Sequence, residues 1–282
     1  MTTTSSAIDL TGVLRPVRQG NAFEETVERL LTVIKLGLVG HGERFPAERE
    51  LAAQLGISRL TLRDAIHELN EAGYVCSRRG RFGGTFVTYS RPSPSSAELR
   101  RLARQDAEKL TDALTFRLAV EAGAAEALAL QFGNAARSAD ADGVTARNAD
   151  ADGVAARSAD ADGVAARSAD ADGVPARDTL LARLADVTAA GAADYRRMDT
   201  LFHLCIAELT GSSLLAAAAA DARMRLNDLL NAIPVLPRNI AHSARQHVAI
   251  VESILSGDGD RARRAVAEHL EGTAALLRGF LA

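Results

Sequence analysis

Between Pro46 and Thr88 the chain changes its hydrophobic period once, and that change limits the fold more than any other feature. The segment PAERELAAQL (46–55) puts Leu51, Ala52 and Leu55 on one helical face. Gly56-Ile57-Ser58 then forms a tight turn, with Ser58 placed to cap a helix running from about Arg59 to Ala72. Gly73 stops that helix. Beyond it, residues 74–78 and 85–88 read as short β-runs around a tip, Arg79-Gly80-Arg81-Phe82-Gly83-Gly84, which predicts a hairpin wing. Upstream, Phe23, Val27, Leu30, Leu31, Ile34 and Leu38 recur at threes and fours and predict a helix over 22–38. Helix, helix, tight turn, helix and hairpin, in that order, predict a winged helix-turn-helix.

In such a unit the helix after the turn enters the major groove of double-stranded DNA by its N-terminal end. That end carries Ser58, Arg59, Thr61 and Arg63, with the two arginines one turn apart on one face. A guanidinium fork can take a guanine edge or a phosphate in a bidentate way. Arg49 on the preceding helix is placed toward the groove edge, and the wing adds Arg78, Arg79 and Arg81. Gly83 and Gly84 would let the backbone approach a minor groove. An isolated arginine is usually a solvated charge; here they gather on the helix and wing that meet DNA. The net charge of −3 does not count against this, because it is local clustering that matters.

Residues 1–20 read as a flexible arm, 21–89 as the DNA-binding domain, and 90–97 (SRPSPSSA) as a linker. From 98 to 282 the pattern is helical throughout, over about 98–132, 178–190, 192–210, 212–231, 238–256 and 260–281. Aromatic residues are only 4% and Trp is absent, while Ala and Leu abound, which suits a core of helix on helix. The expected class is therefore mainly α, with one small hairpin and an all-helical second domain. Four near-identical decamers of the type RSADADGVAA fill 137–176. They hold almost no apolar bulk, so the expectation is a disordered insert in a surface loop. Their DxDG resembles the start of a calcium loop, yet the repeat contains no Glu to close one. No apolar run is long enough to span a membrane, and Cys76 and Cys205 suggest neither a disulfide framework nor a metal motif. A reducing, cytoplasmic setting is expected.

One constellation in the helical part carries chemistry. Asp199 and His203 stand at i and i+4 on one helix face. His247 and His269 lie eleven residues before and after Asp258, the centre of the turn Gly257-Asp258-Gly259. In an antiparallel hairpin both would stand about 16 Å up, at one level. Three imidazoles and a carboxylate could thus converge and would suit zinc, nickel or manganese better than calcium. His41, His67 and His242 are read as surface or core residues, and Cys205 as core.

The stretch PAERELAAQLGISRLTLRDAIHELNEAGYV, followed by RRGRFGGTFV, resembles the winged helix-turn-helix of the GntR family of bacterial regulators over residues 22–88. The resemblance implies Arg49, Arg59 and Arg63 as operator-binding residues and places the family's wing glycine at Gly83 or Gly84. Leu60 stands where a small or polar residue is commoner, so base preference does not carry over. Residues 99–281, with FRLAVEAGAAEAL at 116–128, resemble the FCD sensor of the fatty-acid-regulator-like branch. That resemblance implies Asp199, His203, His247 and His269 as metal ligands, a small organic acid as effector, and a homodimer on a palindromic operator. It also suggests Arg117 as a partner of the effector carboxylate; the competing reading is an ion pair with Glu121, four residues on. The expected function is transcription regulation, a repressor whose DNA affinity answers to that effector, with no catalytic residues. The alternative is a metal-dependent hydrolase or lyase joined to a DNA-binding module, since such ligands can activate water.

Overall fold

The computed structural model describes Leu14 and residues 22–80, 83–90, 107–152, 175–232 and 236–281. The N-terminal domain is built from α1 (Ala22–Lys35), α2 (Glu48–Leu55), α3 (Arg59–Glu71), β1 (Val75–Arg78) and β2 (Gly84–Val87). Its core is the apolar periodicity made solid: Leu30, Val33 and Ile34 of α1, Leu51 and Leu55 of α2, and Leu62, Ala65 and Leu69 of α3 are all buried. Gly56 ends α2 in the left-handed region, at φ 64°, where a side chain would be strained. The hydroxyl of Ser58 accepts from the backbone N–H of Thr61 at 3.0 Å and so caps α3 as expected. The strands pair antiparallel, Val75 opposite Val87 and Arg78 opposite Gly84. A short extended piece at residues 43–45 joins them, with Phe45 donating to the Thr85 carbonyl and Val87 to that of Glu43, both at 2.9 Å.

The second domain is helical, with α4 (Ala107–Asp152), α5 (Ala176–Ala189), α6 (Tyr195–Leu209), α7 (Ser213–Ala232), α8 (Pro237–Leu255) and α9 (Gly259–Leu281). Helix α4 packs against α6, α7, α8 and α9, while α8 and α9 form the predicted antiparallel hairpin. The hairpin turn rests directly on α4: a Cβ on Gly257 would lie 2.6 Å from the Gly133 Cα, so backbone meets backbone there.

Two expectations need correcting. Helix α4 continues through Asp152, so residues 137–152 of the decamers are helix and not a disordered loop. Lack of apolar bulk rules out burial, but a helix already nucleated by packing adds each further residue at little cost, and Ala and Arg propagate it well. Residues 153–174 of the insert lie outside the described residues. The N-terminal arm is also not loose throughout, because Leu14 is 1% exposed and belongs to the core that includes α1–α3. One buried leucine gains about 2 kcal/mol by leaving water, enough to hold the chain at that residue. The remainder of 1–20, and 98–106 of the first sensor helix, lie outside the described residues.

Candidate functional site

Helix α6 aims Asp199 and His203 inward, and the α8–α9 hairpin brings His247 and His269 to the same level. All four ligand atoms lie within 4.8 Å of one another. The imidazoles are 0–3% exposed. His203 Nε2 stands 3.2 Å from His269 Nε2, and Asp199 Oδ1 is 3.4 Å from His247 Nε2 and 3.8 Å from His203 Nε2.

The partners on the far side of each ring assign the tautomers. His203 Nδ1 lies 2.8 Å from the carboxylate oxygen Oε2 of Glu121, and His269 Nδ1 lies 3.1 Å from the amide oxygen of Gln246. Both acceptors call for N–H at Nδ1, which leaves the two Nε2 atoms as bare lone pairs facing each other. Lone pairs at that separation need an electrophile between them, either a proton or a cation. A proton is disfavoured near neutrality. Burial, then the positive charge of Arg223, pushes His203 down to about 4 despite Glu121 and Asp199. Burial, then the neighbouring His203 and His247, holds His269 well below the usual imidazole range. Neither nitrogen of the fully buried His247 makes a hydrogen bond. The donor set therefore fits a divalent transition ion, held by three imidazoles and one carboxylate, with Glu121 and Gln246 standing behind two of the rings as the outer partners that orient such ligands.

Beside this cluster lies a buried ionic lattice that sequence reasoning missed in part. Arg223 of α7 donates to Glu121 Oε1 at 3.2 Å, to Asp199 Oδ2 at 3.1 Å and to the Thr200 hydroxyl at 3.2 Å. Arg117 donates to Glu121 Oε1 at 2.9 Å, so the expected ion pair is made. Burial works to raise both Glu121 and Asp199. For Glu121, Arg117 and Arg223 outweigh it; for Asp199, Arg223 and the imidazoles do, and both carboxyls sit well below the usual range. A cavity of about 50 Å³ opens here, lined by Arg117, Tyr195, Arg196, Asp199, Arg223 and Asn227 among others. Three arginines thus stand against two carboxylates. The surplus is positive even before any metal, which is the electrostatics of an anion site. Arg223 and Asn227 could have been noticed as an i, i+4 polar pair on the apolar face of an Ala- and Leu-rich helix.

On the N-terminal domain the predicted DNA-facing residues divide. Arg49, Arg59 and Arg79 are exposed. Arg63 is exposed too, but its Nε holds Glu48 Oε2 at 2.8 Å. The Ser58 hydroxyl is engaged in the cap and lies 2.9 Å from the Thr61 hydroxyl. Arg78 stacks over the Phe86 ring at 4.6 Å, and Arg81 lies outside the described residues. Gly83 and Gly84 have reasons within the fold: a Cβ on Gly83 would meet the Arg78 carbonyl at 2.4 Å, and Gly84 has φ 145°. A hollow of about 310 Å³ runs between the start of α3 and the wing, lined by Arg44, Arg49, Arg59, Gly83 and Gly84 among others. Sequence reading overlooked Arg44. It reaches the wing only because residue 44 bridges Phe86, a pairing that no local pattern announces.

A basic hollow between a helix start and a wing, on a helical partner domain with a polar interior, defines a DNA-binding transcription regulator. Residues 23–87 match the family of bacterial regulatory proteins, gntR family, and residues 159–272 match the FCD domain. The chain is 27% identical over 272 residues to a protein of Escherichia coli named for regulation of an L-lactate dehydrogenase operon, covering 91% of this chain and 86% of that one. It is 27% identical over 273 residues to the HTH-type transcriptional repressor NanR of Salmonella newport, covering 93% and 87%. A shorter match, 41% over 88 residues to a protein of Mycobacterium gastri named as the regulator RmpR, covers 31% of this chain and 32% of that one. Among solved structures, McbR/YncC of E. coli aligns at TM-score 0.42 and 16% identity, over 92% of this chain and 97% of that chain. The chain belongs to the GntR family of transcription regulators, with an FCD domain as its effector-binding part. The enzyme alternative is set aside, since the relatives that span the chain are regulators. Among the described residues no helix is long and apolar enough to cross a membrane.

Proposed function

We propose that this regulator is a repressor whose operator affinity is set by a small organic acid bound beside a divalent transition ion. Asp199, His203, His247 and His269 would hold the ion, with zinc, nickel and manganese all suited to the donor set. The observation that carries the reading is the convergence of four ligand atoms within 4.8 Å, three of them on buried imidazoles, with the Nε2 atoms of His203 and His269 3.2 Å apart. When bound, the ion supplies a Lewis-acidic centre that attracts a carboxylate. The adjoining cavity supports an acid of few carbons, with Arg117, Arg196 and Arg223 as its counter-charges. The name of the E. coli relative, from an L-lactate dehydrogenase operon, agrees with that class.

Operator contact is assigned to Arg49, Ser58, Arg59, Thr61, Arg63, Arg79, Arg81, Gly83 and Gly84, and now to Arg44. The chain would act as a homodimer in the cytoplasm, two winged domains meeting the half-sites of a palindrome. Domains 21–89 and 98–282 are the working units of this scheme, joined by 90–97. The test is elemental analysis of the purified protein, followed by operator titrations with chelator, with zinc, and with zinc plus a panel of short carboxylic acids. Stoichiometric metal and an acid-dependent change in operator affinity are expected. Metal-free protein that binds no added zinc sinks the sensor reading.

A further inference from the structure

Among the described residues, the Arg197–Glu43 and Asn227–Lys35 contacts cross from the sensor to the DNA-binding domain, and each begins within one helical turn of the candidate site. On α6, neighbouring positions divide their tasks. Arg196 lines the cavity and Asp199 faces the imidazoles, while Arg197 turns outward and its Nη1 holds Glu43 Oε1 at 2.7 Å. On α7, Arg223 grips Asp199 and Glu121, and one turn later Asn227 lines the same cavity and donates its amide to the Lys35 carbonyl.

Both contacts end on well-anchored parts of the DNA-binding domain. Lys35 is the last residue of α1, where helix carbonyls run out of intrahelical partners, and Asn227 supplies one. Glu43 is tied at three points: its second carboxylate oxygen accepts from Gly40 N at 2.8 Å, its carbonyl accepts from Val87 N at 2.9 Å, and the next residue bridges Phe86. A pull on Glu43 is therefore a pull on the base of the wing.

We infer that occupancy of the sensor reaches the operator-binding surface through a two-point latch, Arg197 with Glu43 and Asn227 with the end of α1. This deepens the proposed function and rests on it. A ligand that engages Arg196, Arg223 or Asp199 shifts α6 and α7 against each other, and both latch points ride on those helices without an intervening loop. The Arg197–Glu43 pair is only partly covered, with 19% and 41% of its side chains exposed, so it is weak enough to open and close with the ligand. Such coupling requires only that the ligand prefer one of the two arrangements.

The test uses the full chain and an operator duplex selected from a random-sequence pool. Operator affinity is measured with chelator and with zinc plus L-lactate, a short carboxylate that does not strip the metal. The wild type is expected to show a ratio of about fivefold or more between the two states, and Arg197→Glu or Glu43→Arg to bring it below about twofold. The double charge swap restores the ratio, which a merely structural role for either residue would not do. Zinc content stays at the wild-type level in all three variants, and loss of zinc from the Arg197→Glu protein overturns the latch by placing Arg197 in the site. Single variants that keep both zinc and the wild-type ratio refute the latch and leave the sensor reading intact. A wild type indifferent to zinc and L-lactate refutes both.

Discussion

Replacing Arg223 by methionine probes the centre of the candidate site. The guanidinium is 3% exposed and serves two buried carboxylates at once, Glu121 at 3.2 Å and Asp199 at 3.1 Å. After Arg223→Met, Glu121 keeps Arg117 at 2.9 Å and His203 at 2.8 Å. Asp199 loses its guanidinium partner and is left facing the imidazoles and the Tyr195 hydroxyl. Methionine restores most of the volume, so the loss is electrostatic rather than a cavity. Breaking a buried pair from one side costs about 3–5 kcal/mol, which sets the expectation for the metal-free protein. A divalent ion among Asp199, His203, His247 and His269 would replace the missing positive charge. With saturating zinc the loss should therefore shrink below about 2 kcal/mol, because the variant, lacking a positive charge beside Asp199, binds the ion more tightly than the wild type and so gains more stability by mass action. Urea unfolding of wild type and variant, each in chelator and in zinc, yields the four free energies. Equal losses in the two states would refute the argument that Asp199 belongs both to the arginine lattice and to a metal site.

The other outcomes follow from the same geometry. His247→Ala removes a buried imidazole with no hydrogen bond of its own, so zinc content measured by elemental analysis should fall; full occupancy would remove His247 from the ligand set. Arg59→Ala should weaken operator binding by about 1–3 kcal/mol and relax preference at one base position. Arg44→Ala, on the wing side of the same hollow, should instead lower affinity for all duplexes alike and reduce the salt slope by about one; unchanged salt dependence would deny Arg44 a phosphate. Metal-free sensor stability should fall as pH drops from about 6.5 toward 4. In that window the unfolded chain protonates His203 while the folded one, with its pKa held down to about 4, does not. Glu121 adds in the same direction, since a depressed carboxyl loses its stabilising contribution as pH falls through its folded pKa. Stability that is flat or rising on acidification would contradict both shifts.

Local spacing alone determined much of this protein. The caps and turns of α2 and α3, the hairpin, and the shared face of Asp199 and His203 all follow from interactions within about four residues, where backbone geometry leaves little choice. Even the level of His247 and His269 was legible, because equal counts from one turn become equal heights along straight helices. Packing decided the remainder. Glu121 meets Arg223 across 102 positions, Arg197 meets Glu43 across 154, and Arg44 reaches the wing by pairing with Phe86, beyond any periodic signal. The same limit explains α4, where composition argued against burial but could not foresee a helix carried on to Asp152 by the bundle that nucleates it. Buried charges are stable only where distant segments bring their partners, so the electrostatics of the sensor exist only in the folded chain.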